Sequence, residues 1–122
     1  MNDSIWKYPR ESSKLVINSK IRNMIIQFIR LKTTLPVDEL MRRAREREPQ
    51  FKALPGLLQK YYVQMSEPGE YGGIYVWDTL ESLQAFRKTE LAASIPGAYE
   101  VIEAPALETL KVLFQLREPQ IR

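Results

Sequence analysis

The chain has 122 residues, of which 44% are hydrophobic, so it is long enough for one domain with a single core. It contains no cysteine and no histidine, which excludes disulfides, thiolate nucleophiles, imidazole bases, histidine-bound haem and nearly all zinc sites. No acidic cluster has the spacing of a calcium or magnesium loop, so we expect neither a bound metal nor a cofactor.

The net charge of +3 is concentrated in residues 1–22, which carry five basic and two acidic groups and have no sustained hydrophobic period. We interpret this segment as a basic arm, residues 23–117 as the domain, and residues 118–122 as a tail. Because the domain is neutral, we expect no nucleic-acid binding. No segment has the length of a membrane span or the character of a signal peptide, so we expect a cytoplasmic protein without membrane contact.

Residues 24–32 form the first predicted strand, because they are rich in β-branched and aromatic residues and are apolar on both faces. After Pro36, apolar residues recur at the spacing of one helix face. This stripe consists of Val37, Leu40, Met41 and Ala44. The charged run that follows contains residues of opposite charge four positions apart, which predicts a solvated helix face. The pairs are Glu39 with Arg43 and Arg42 with Glu46.

A second and a third strand are predicted at residues 57–65 and 71–77, joined by a turn that contains proline and glycine. In the second strand, side-chain alternation assigns Tyr61 and its neighbours two residues away to the more buried face. Lys60 is assigned to the opposite, less buried face.

The strand at residues 71–77 is the centre of the predicted fold. Tyr75 and Trp77 share one of its faces, and Ile74 and Val76 share the other. Both faces are therefore apolar and both must be covered. The glycines at positions 72 and 73 indicate a bend or bulge, with close approach of the backbone to a ligand as the alternative.

Asp78 and Glu81 have the spacing of a capping box and predict a second helix that begins at residue 78 or 79. Its buried side is assigned to Leu80, Leu83 and either Phe86 or the stem of Arg87, and its end to the Pro-Gly pair at residues 96–97. The fourth strand is predicted at residues 108–116. The residues assigned to its inward face are Leu110, Val112, Phe114 and Leu116.

The predicted order is β-α-β-β-α-β, which is the ferredoxin-like α+β arrangement of a four-stranded antiparallel sheet with both helices on one face. The second apolar face of the sheet is then left without a cover. Two copies that pack face to face would cover it, so we expect a homodimer in the form of a dimeric α/β barrel.

Three short motifs carry a resemblance to a known family. They are G-G-I-Y-V-W at residues 72–77, E-S-L-Q-A-F at residues 81–86 and E-P-x-F at residues 48–51. In these motifs the chain resembles the dimeric α/β-barrel superfamily, and most closely a bacterial subgroup known as putative monooxygenases, related to the antibiotic-biosynthesis monooxygenases. The resemblance covers about residues 24–116.

The resemblance implies a monooxygenase that uses no flavin, haem or metal, because its deprotonated aromatic or quinol-like substrate passes an electron to oxygen. It places Trp77 in the lining of a substrate pocket between sheet and helices. Two positions depart from the oxygenase pattern: Gly73 stands where an asparagine handles the proton, and Leu83 stands at a pocket position held by tyrosine. Tyr75, which shares a face with Trp77, and Tyr61 are then the candidate catalytic residues.

Two functions remain open from the sequence. The first is a cofactor-independent monooxygenase for a small aromatic or quinol-like substrate, with a pocket formed by Trp77, Tyr75 and Leu83. The second is a non-enzymatic dimeric binding module for a small apolar ligand or a protein partner. The family resemblance favours the first, and the missing asparagine and histidine favour the second.

Overall fold

The computed structural model describes residues 23–117 of the chain. In chain order the elements are strand β1 (Ile25–Lys32), helices α1 (Val37–Glu46) and α2 (Glu48–Lys52), strands β2 (Leu57–Gln64) and β3 (Glu70–Trp77), helices α3 (Leu80–Arg87), α4 (Glu90–Ala93) and α5 (Ile95–Ala98), and strand β4 (Ala106–Lys111). The predicted arm at residues 1–22 and the predicted tail at residues 118–122 lie outside the described residues, so both stay predictions.

The four strands form one antiparallel sheet in the order β2-β3-β1-β4. The two central strands, β1 and β3, are the two whose sequences are apolar on both faces, as expected for strands flanked on either side. Together with the order of the elements along the chain, this arrangement is ferredoxin-like, and the predicted α+β fold is confirmed. Within residues 23–117, no helix is long and apolar enough to cross a membrane.

The core lies between one face of the sheet and the helices. The register places Ile25 beside Trp77 and Gln27 beside Tyr75 on this covered face. From the helices, Leu83 and Phe86 of α3 and Phe51 of α2 pack against it and are buried. The rings interlock: the centroid of Trp77 lies 5.3 Å from that of Phe86 and 6.1 Å from that of Tyr75. Such contacts between rings add to the free energy gained by burying their area.

Helix α1 has the predicted ion pairs, and two of the four residues of its predicted apolar stripe are buried. Leu40 and Ala44 are buried, whereas Val37 and Met41 are partly exposed. The predicted ion pairs are confirmed. The Nε of Arg43 lies 2.8 Å from a carboxylate oxygen of Glu39, and a guanidinium nitrogen of Arg42 lies 3.0 Å from one of Glu46.

The predicted faces of β2 are wrong, because a β-bulge interrupts the strand. Leu57 pairs with Trp77, but Gln59 pairs with Val76, so one extra residue lies between them. A bulge of one residue moves every later side chain to the opposite face. Tyr61 consequently pairs with Ile74 on the face away from the helices and is 55% exposed.

The two glycines of β3 form no bend, since the pairing with both neighbouring strands continues through them. They are instead required by close packing. A Cβ atom on Gly72 would lie 2.7 Å from the ring of Phe28, and one on Gly73 would lie 2.9 Å from the ring of Tyr75. Both distances are shorter than the contact distance of carbon atoms, so a side chain at either position would displace an aromatic ring.

Helix α3 begins at the predicted place but with a different cap. Thr79, not Asp78, is the N-cap residue, and its side-chain oxygen accepts a hydrogen bond of 3.1 Å from the backbone N–H of Ser82. Asp78 accepts a hydrogen bond of 2.6 Å from the hydroxyl of Ser82. The predicted burial of Leu80 is also wrong, because this side chain is 41% exposed.

Replacing Thr79 by alanine is expected to lower the free energy of unfolding by about 1 kcal/mol, because the backbone N–H of Ser82 loses its partner. Urea unfolding followed by circular dichroism measures the change. Thr79→Ser retains the accepting oxygen and is the matched control, expected to lose less than half as much. Equal losses in the two variants would contradict the assignment of the cap.

The end of the domain also departs from the sequence prediction. The pair Pro96-Gly97 does not stop a helix but lies within α5. Strand β4 ends at Lys111 because this residue pairs with Ile25, the first residue of its partner β1. Three of the residues predicted to face inward are exposed, so their predicted positions are wrong. These residues are Leu110, Phe114 and Leu116.

The face of the sheet that carries no helices is largely apolar, with Arg30, Gln59 and Glu108 also on it, and is not covered by any element between residues 23 and 117. Ile26, Phe28, Ile74 and Val76 lie on it and are half-buried by their neighbours alone. Tyr61 and Leu110 lie on the same face and are exposed. The apolar second face is thus present as predicted, whereas the homodimer that would cover it stays a prediction.

Candidate functional site

A cavity of about 280 Å³ lies between the sheet and the helices. Its walls come from β1, α1, the end of β2, the first half of β3 and the segment around α5. Most of the lining is aliphatic or aromatic, and the polar atoms are an amine, an amide and several hydroxyls. The lining residues that carry these polar groups are Lys60, Tyr62, Gln64, Tyr71, Tyr75 and Tyr99.

Lys60 is the only lysine among the residues that line this cavity. Because it follows the bulge of β2, it pairs with Tyr75 and points to the helix side of the sheet. Its Nζ atom lies 3.5 Å from the ring centroid of Phe51, 4.3 Å from that of Tyr62 and 4.5 Å from that of Tyr75. Three rings from α2, β2 and β3 thus form a cage around one amine.

The surroundings of Lys60 disfavour its positive charge. Among residues 23–117, no carboxylate lies within 4.0 Å of its Nζ, and the nearby Glu48 instead pairs with Arg45 and Lys52. Burial, and to a smaller extent the positive charge of Arg47, lowers the pKa of Lys60 from its ordinary 10.5 to about 7. The ring faces attract the charged form and act against this shift. At neutral pH the amine is therefore present in both protonation states.

The tyrosines around the amine are shifted in the opposite direction. Burial raises the pKa of Tyr62 to about 12, and it raises the pKa values of Tyr75 and Tyr99 as well. These hydroxyls stay protonated at neutral pH and are hydrogen-bond donors. The Tyr99 hydroxyl is buried and has no hydrogen-bond partner among the described residues. Arg47 lies beside this hydroxyl and acts to lower its pKa, against the larger effect of burial.

Arg47 links the helices behind the cage. One guanidinium nitrogen donates a hydrogen bond of 2.9 Å to the hydroxyl of Ser94. The guanidinium carbon lies 5.6 Å from the ring centroid of Phe51 and 5.6 Å from that of Tyr99. These contacts hold the positive charge near Lys60, where it acts on the amine without a direct bond.

The residues predicted from the sequence are only partly brought together. Tyr75 lines the cavity as expected. Trp77 and Leu83 do not line it, since both are fully buried in the packed core, where the indole N–H of Trp77 donates a hydrogen bond of 3.0 Å to Gln27. Tyr61 lies on the opposite face of the sheet from Tyr75. The three residues predicted to form a pocket, Trp77, Tyr75 and Leu83, therefore belong to the packed core. Only Tyr75 also lines the cavity.

Lys60 was missed because strict alternation assigned it to the less buried face of β2. The only hint in the sequence is a lysine next to the two tyrosines at positions 61 and 62. Its position also bears on Gly73, where the resemblance implies an asparagine. A Cβ atom on Gly73 would lie 3.3 Å from the Cε of Lys60, so the lysine occupies space next to the missing side chain.

The described residues contain no group of three or more acidic side chains arranged to hold a metal ion. The residues that line the cavity include no carboxylate, the charged group with which proteins bind magnesium and calcium. The arrangement is instead suited to an organic molecule with apolar rings and a few oxygen atoms.

No protein-family model matches the sequence, and no curated protein matches it significantly. Solved structures do match it. A cofactor-independent oxygenase from Streptomyces nogalater, SnoaB, superposes with a TM-score of 0.64 at 12% identity, over 79% of this chain and 99% of the oxygenase. The chain has the fold of this protein.

Two further structures support the same fold. A putative antibiotic biosynthesis monooxygenase from Caulobacter crescentus superposes with a TM-score of 0.61 at 20% identity, over 80% of this chain and 96% of the other. A protein of unknown function from Nitrosomonas europaea superposes with a TM-score of 0.63 at 18% identity, over 81% of this chain and 98% of the other. At these identities the similarity establishes the fold alone, because one fold hosts many activities.

Proposed function

We propose that the protein is a cofactor-independent monooxygenase that acts on a small aromatic or quinol-like substrate in the cavity between sheet and helices. The observation that carries this proposal is the presence of Lys60 in the wall of a largely apolar cavity. The shared fold with a cofactor-independent oxygenase supports it.

The lining favours a flat molecule of one or two fused rings. A volume of about 280 Å³ is just below the range of roughly 300–1,000 Å³ that is usual for small-molecule sites. Aromatic and aliphatic walls bury the rings, while the hydroxyl of Tyr75 donates a hydrogen bond to a substrate oxygen atom.

In the proposed reaction, neutral Lys60 accepts the proton of a substrate hydroxyl, and the resulting ammonium stays beside the substrate anion. A base with a pKa near the working pH is best suited to this transfer. The anion passes one electron to oxygen, and the superoxide and the substrate radical combine to form a C–O bond. The peroxide anion takes the proton back from the Lys60 ammonium, and the hydroperoxide then loses water and leaves a carbonyl group. One O₂ thus converts an aromatic C–H to C=O and releases one water molecule.

In this mechanism Lys60 handles the proton. The family resemblance implies an asparagine for this role at position 73, where this chain has glycine. Burial, with a smaller contribution from the like charge of Arg47, keeps a fraction of the amine neutral, and the surrounding rings reduce the contact of the ion pair with water. Exclusion of water strengthens the attraction between ammonium and anion and prevents side reactions of the radical pair.

Oxygen uptake tests the proposal with a panel of reduced quinols, naphthols and anthrone-like phenols. We expect uptake above a protein-free blank for at least one compound, and a decrease of about tenfold or more in kcat/KM for Tyr75→Phe, because the variant loses one hydrogen-bond donor to the substrate anion. Saturable binding without uptake would instead favour the non-enzymatic binding module. Uptake that Tyr75→Phe leaves unchanged would contradict the assigned cavity.

The proposal includes a homodimer formed through the uncovered face of the sheet. Replacing Tyr61 by glutamate places a charge on this apolar face, so we expect the variant to be monomeric where the wild type is dimeric. Light scattering after size exclusion measures the mass. Leu80→Glu, at a similarly exposed apolar residue on α3, is the matched control and is expected to stay dimeric. A monomeric wild type at micromolar concentration would contradict the dimer.

A further inference from the structure

The environment of Lys60 combines two features that make an amine nucleophilic. The first is a desolvating cage, in which the Nζ atom lies within 4.5 Å of three ring centroids. The second is a cationic neighbour, Arg47, held by its hydrogen bond to Ser94. No described carboxylate within ion-pairing distance stabilises the ammonium form. Lysines in such surroundings react with carbonyl carbons, because the free electron pair is available near neutral pH.

We propose that Lys60 forms an imine with small apolar aldehydes or ketones that enter the cavity. The nitrogen adds to the carbonyl carbon and the carbonyl π bond breaks, which gives a carbinolamine after one proton moves from nitrogen to oxygen. Loss of water from the carbinolamine then forms the C=N bond. One carbonyl compound and one amine thus give one imine and one water molecule, without an oxidant or reductant.

The chemical class of the substrate follows from the walls. A neutral aldehyde and a neutral amine give a neutral imine, so the reaction leaves no unpaired charge in the apolar cavity. Tyr75 lines the same cavity and its hydroxyl stays protonated at neutral pH, so it is suited to donate a hydrogen bond to the departing oxygen. Carboxylated or phosphorylated carbonyl compounds would have to bring an anion into this cavity and are expected to react poorly.

This activity uses the same amine as the proposed oxygenase but requires no oxygen and no quinol. The two proposals can therefore fail separately. An active oxygenase that forms no imine would overturn only the present inference, and imine formation by a protein without oxygen uptake would support it alone.

Reductive trapping with benzaldehyde and cyanoborohydride tests the inference on the full-length protein at pH 7. The hydride converts the imine to a stable secondary amine, which peptide mapping by mass spectrometry assigns to a residue. With a pKa of about 7 for Lys60, the neutral fraction at pH 7 is roughly a thousandfold larger than that of an ordinary exposed lysine. We expect Lys60 to be labelled at least about tenfold faster than the exposed Lys88, the internal control. Mapping also separates Lys60 from the N-terminal amine.

A second measurement follows the rate of labelling of Lys60 as a function of pH in the wild type. The rate is expected to rise with pH and to level off above about pH 7, because the neutral amine is the reactive form. The Lys60→Arg variant retains the positive charge and is expected to lose this label while Lys88 is labelled as before. Equal labelling of Lys60 and Lys88, or a labelling rate of Lys60 that still rises steeply above pH 9, would overturn the inference.

Discussion

Replacement of Lys60 by methionine is expected to lower kcat for oxygen uptake at least about a hundredfold at pH 7.5, which is the lower end of the contribution of a positioned general base. Methionine has a similar length and fills the same apolar cage, so the walls of the cavity are retained. The variant removes the amine and leaves the rings in place. Oxygen-electrode kinetics with the best substrate of the panel measure the effect.

The pH profile distinguishes a base from a simple positive charge. Because the active form is the neutral amine, kcat/KM of the wild type is expected to rise about tenfold per pH unit below pH 7 and to level off above it. Lys60→Arg retains a charge that cannot be lost and is expected to be as inactive as Lys60→Met. Substantial activity in the arginine variant would show that Lys60 acts through its charge alone.

Stability provides the control for the fold. A buried amine without a carboxylate partner costs free energy, so Lys60→Met is expected to be at least as stable as the wild type in urea. Lys88→Met changes an exposed lysine outside the cavity and is expected to leave both activity and stability unaltered. An unstable Lys60→Met variant would contradict the view that the amine is retained for function.

Trp77→Ala is expected to lower the free energy of unfolding by about 3–5 kcal/mol, the range for removal of a large aromatic side chain from a core. Trp77 is fully buried and its ring is stacked parallel to that of Tyr75, at an interplanar angle of 4°. The loss is a large part of the 5–15 kcal/mol that usually stabilises a domain. Urea unfolding at a fixed protein concentration measures it, because dimerisation makes apparent stability depend on concentration.

The contribution of the hydrogen bond between Trp77 and Gln27 can be measured separately from that of burying the indole ring. Trp77→Phe retains most of the ring area but leaves the buried Gln27 oxygen without its donor, which is expected to cost about 1–3 kcal/mol. Gln27→Leu combined with Trp77→Phe removes both partners and is expected to recover part of this loss. Additive losses in the double variant would contradict the coupling. If Trp77→Phe changed oxygen uptake without altering stability, Trp77 would have to be counted among the residues that line the substrate pocket.

The sequence predicted the ferredoxin-like fold because its signals are local. The period of two in β3, the period of α1 and the order of the elements along the chain are all readable without knowledge of any distant contact. The ion pairs of Arg42 and Arg43 were predictable for the same reason, since both partners lie on one helix. Tyr75 was also correctly assigned to the helix side of the sheet.

The other features of the site depend on the pairing register between the strands. The bulge between Leu57 and Gln59 has no clear signal in the sequence, yet it reverses the faces of Tyr61 and Lys60. Trp77 was interpreted as a pocket residue because a strand pattern indicates that a side chain is covered, but does not indicate whether it is covered by a ligand or by Gln27, Tyr75 and Phe86.

The sequence by itself determined the fold class and the absence of histidine and cysteine chemistry, because composition and periodicity are properties of the chain alone. Only the tertiary structure decided which polar group the cavity contains. The cage of Lys60 is built from α2, β2 and β3, and Arg47 approaches it from the end of α1. An amine acquires an altered pKa from such neighbours only after folding has removed it from water.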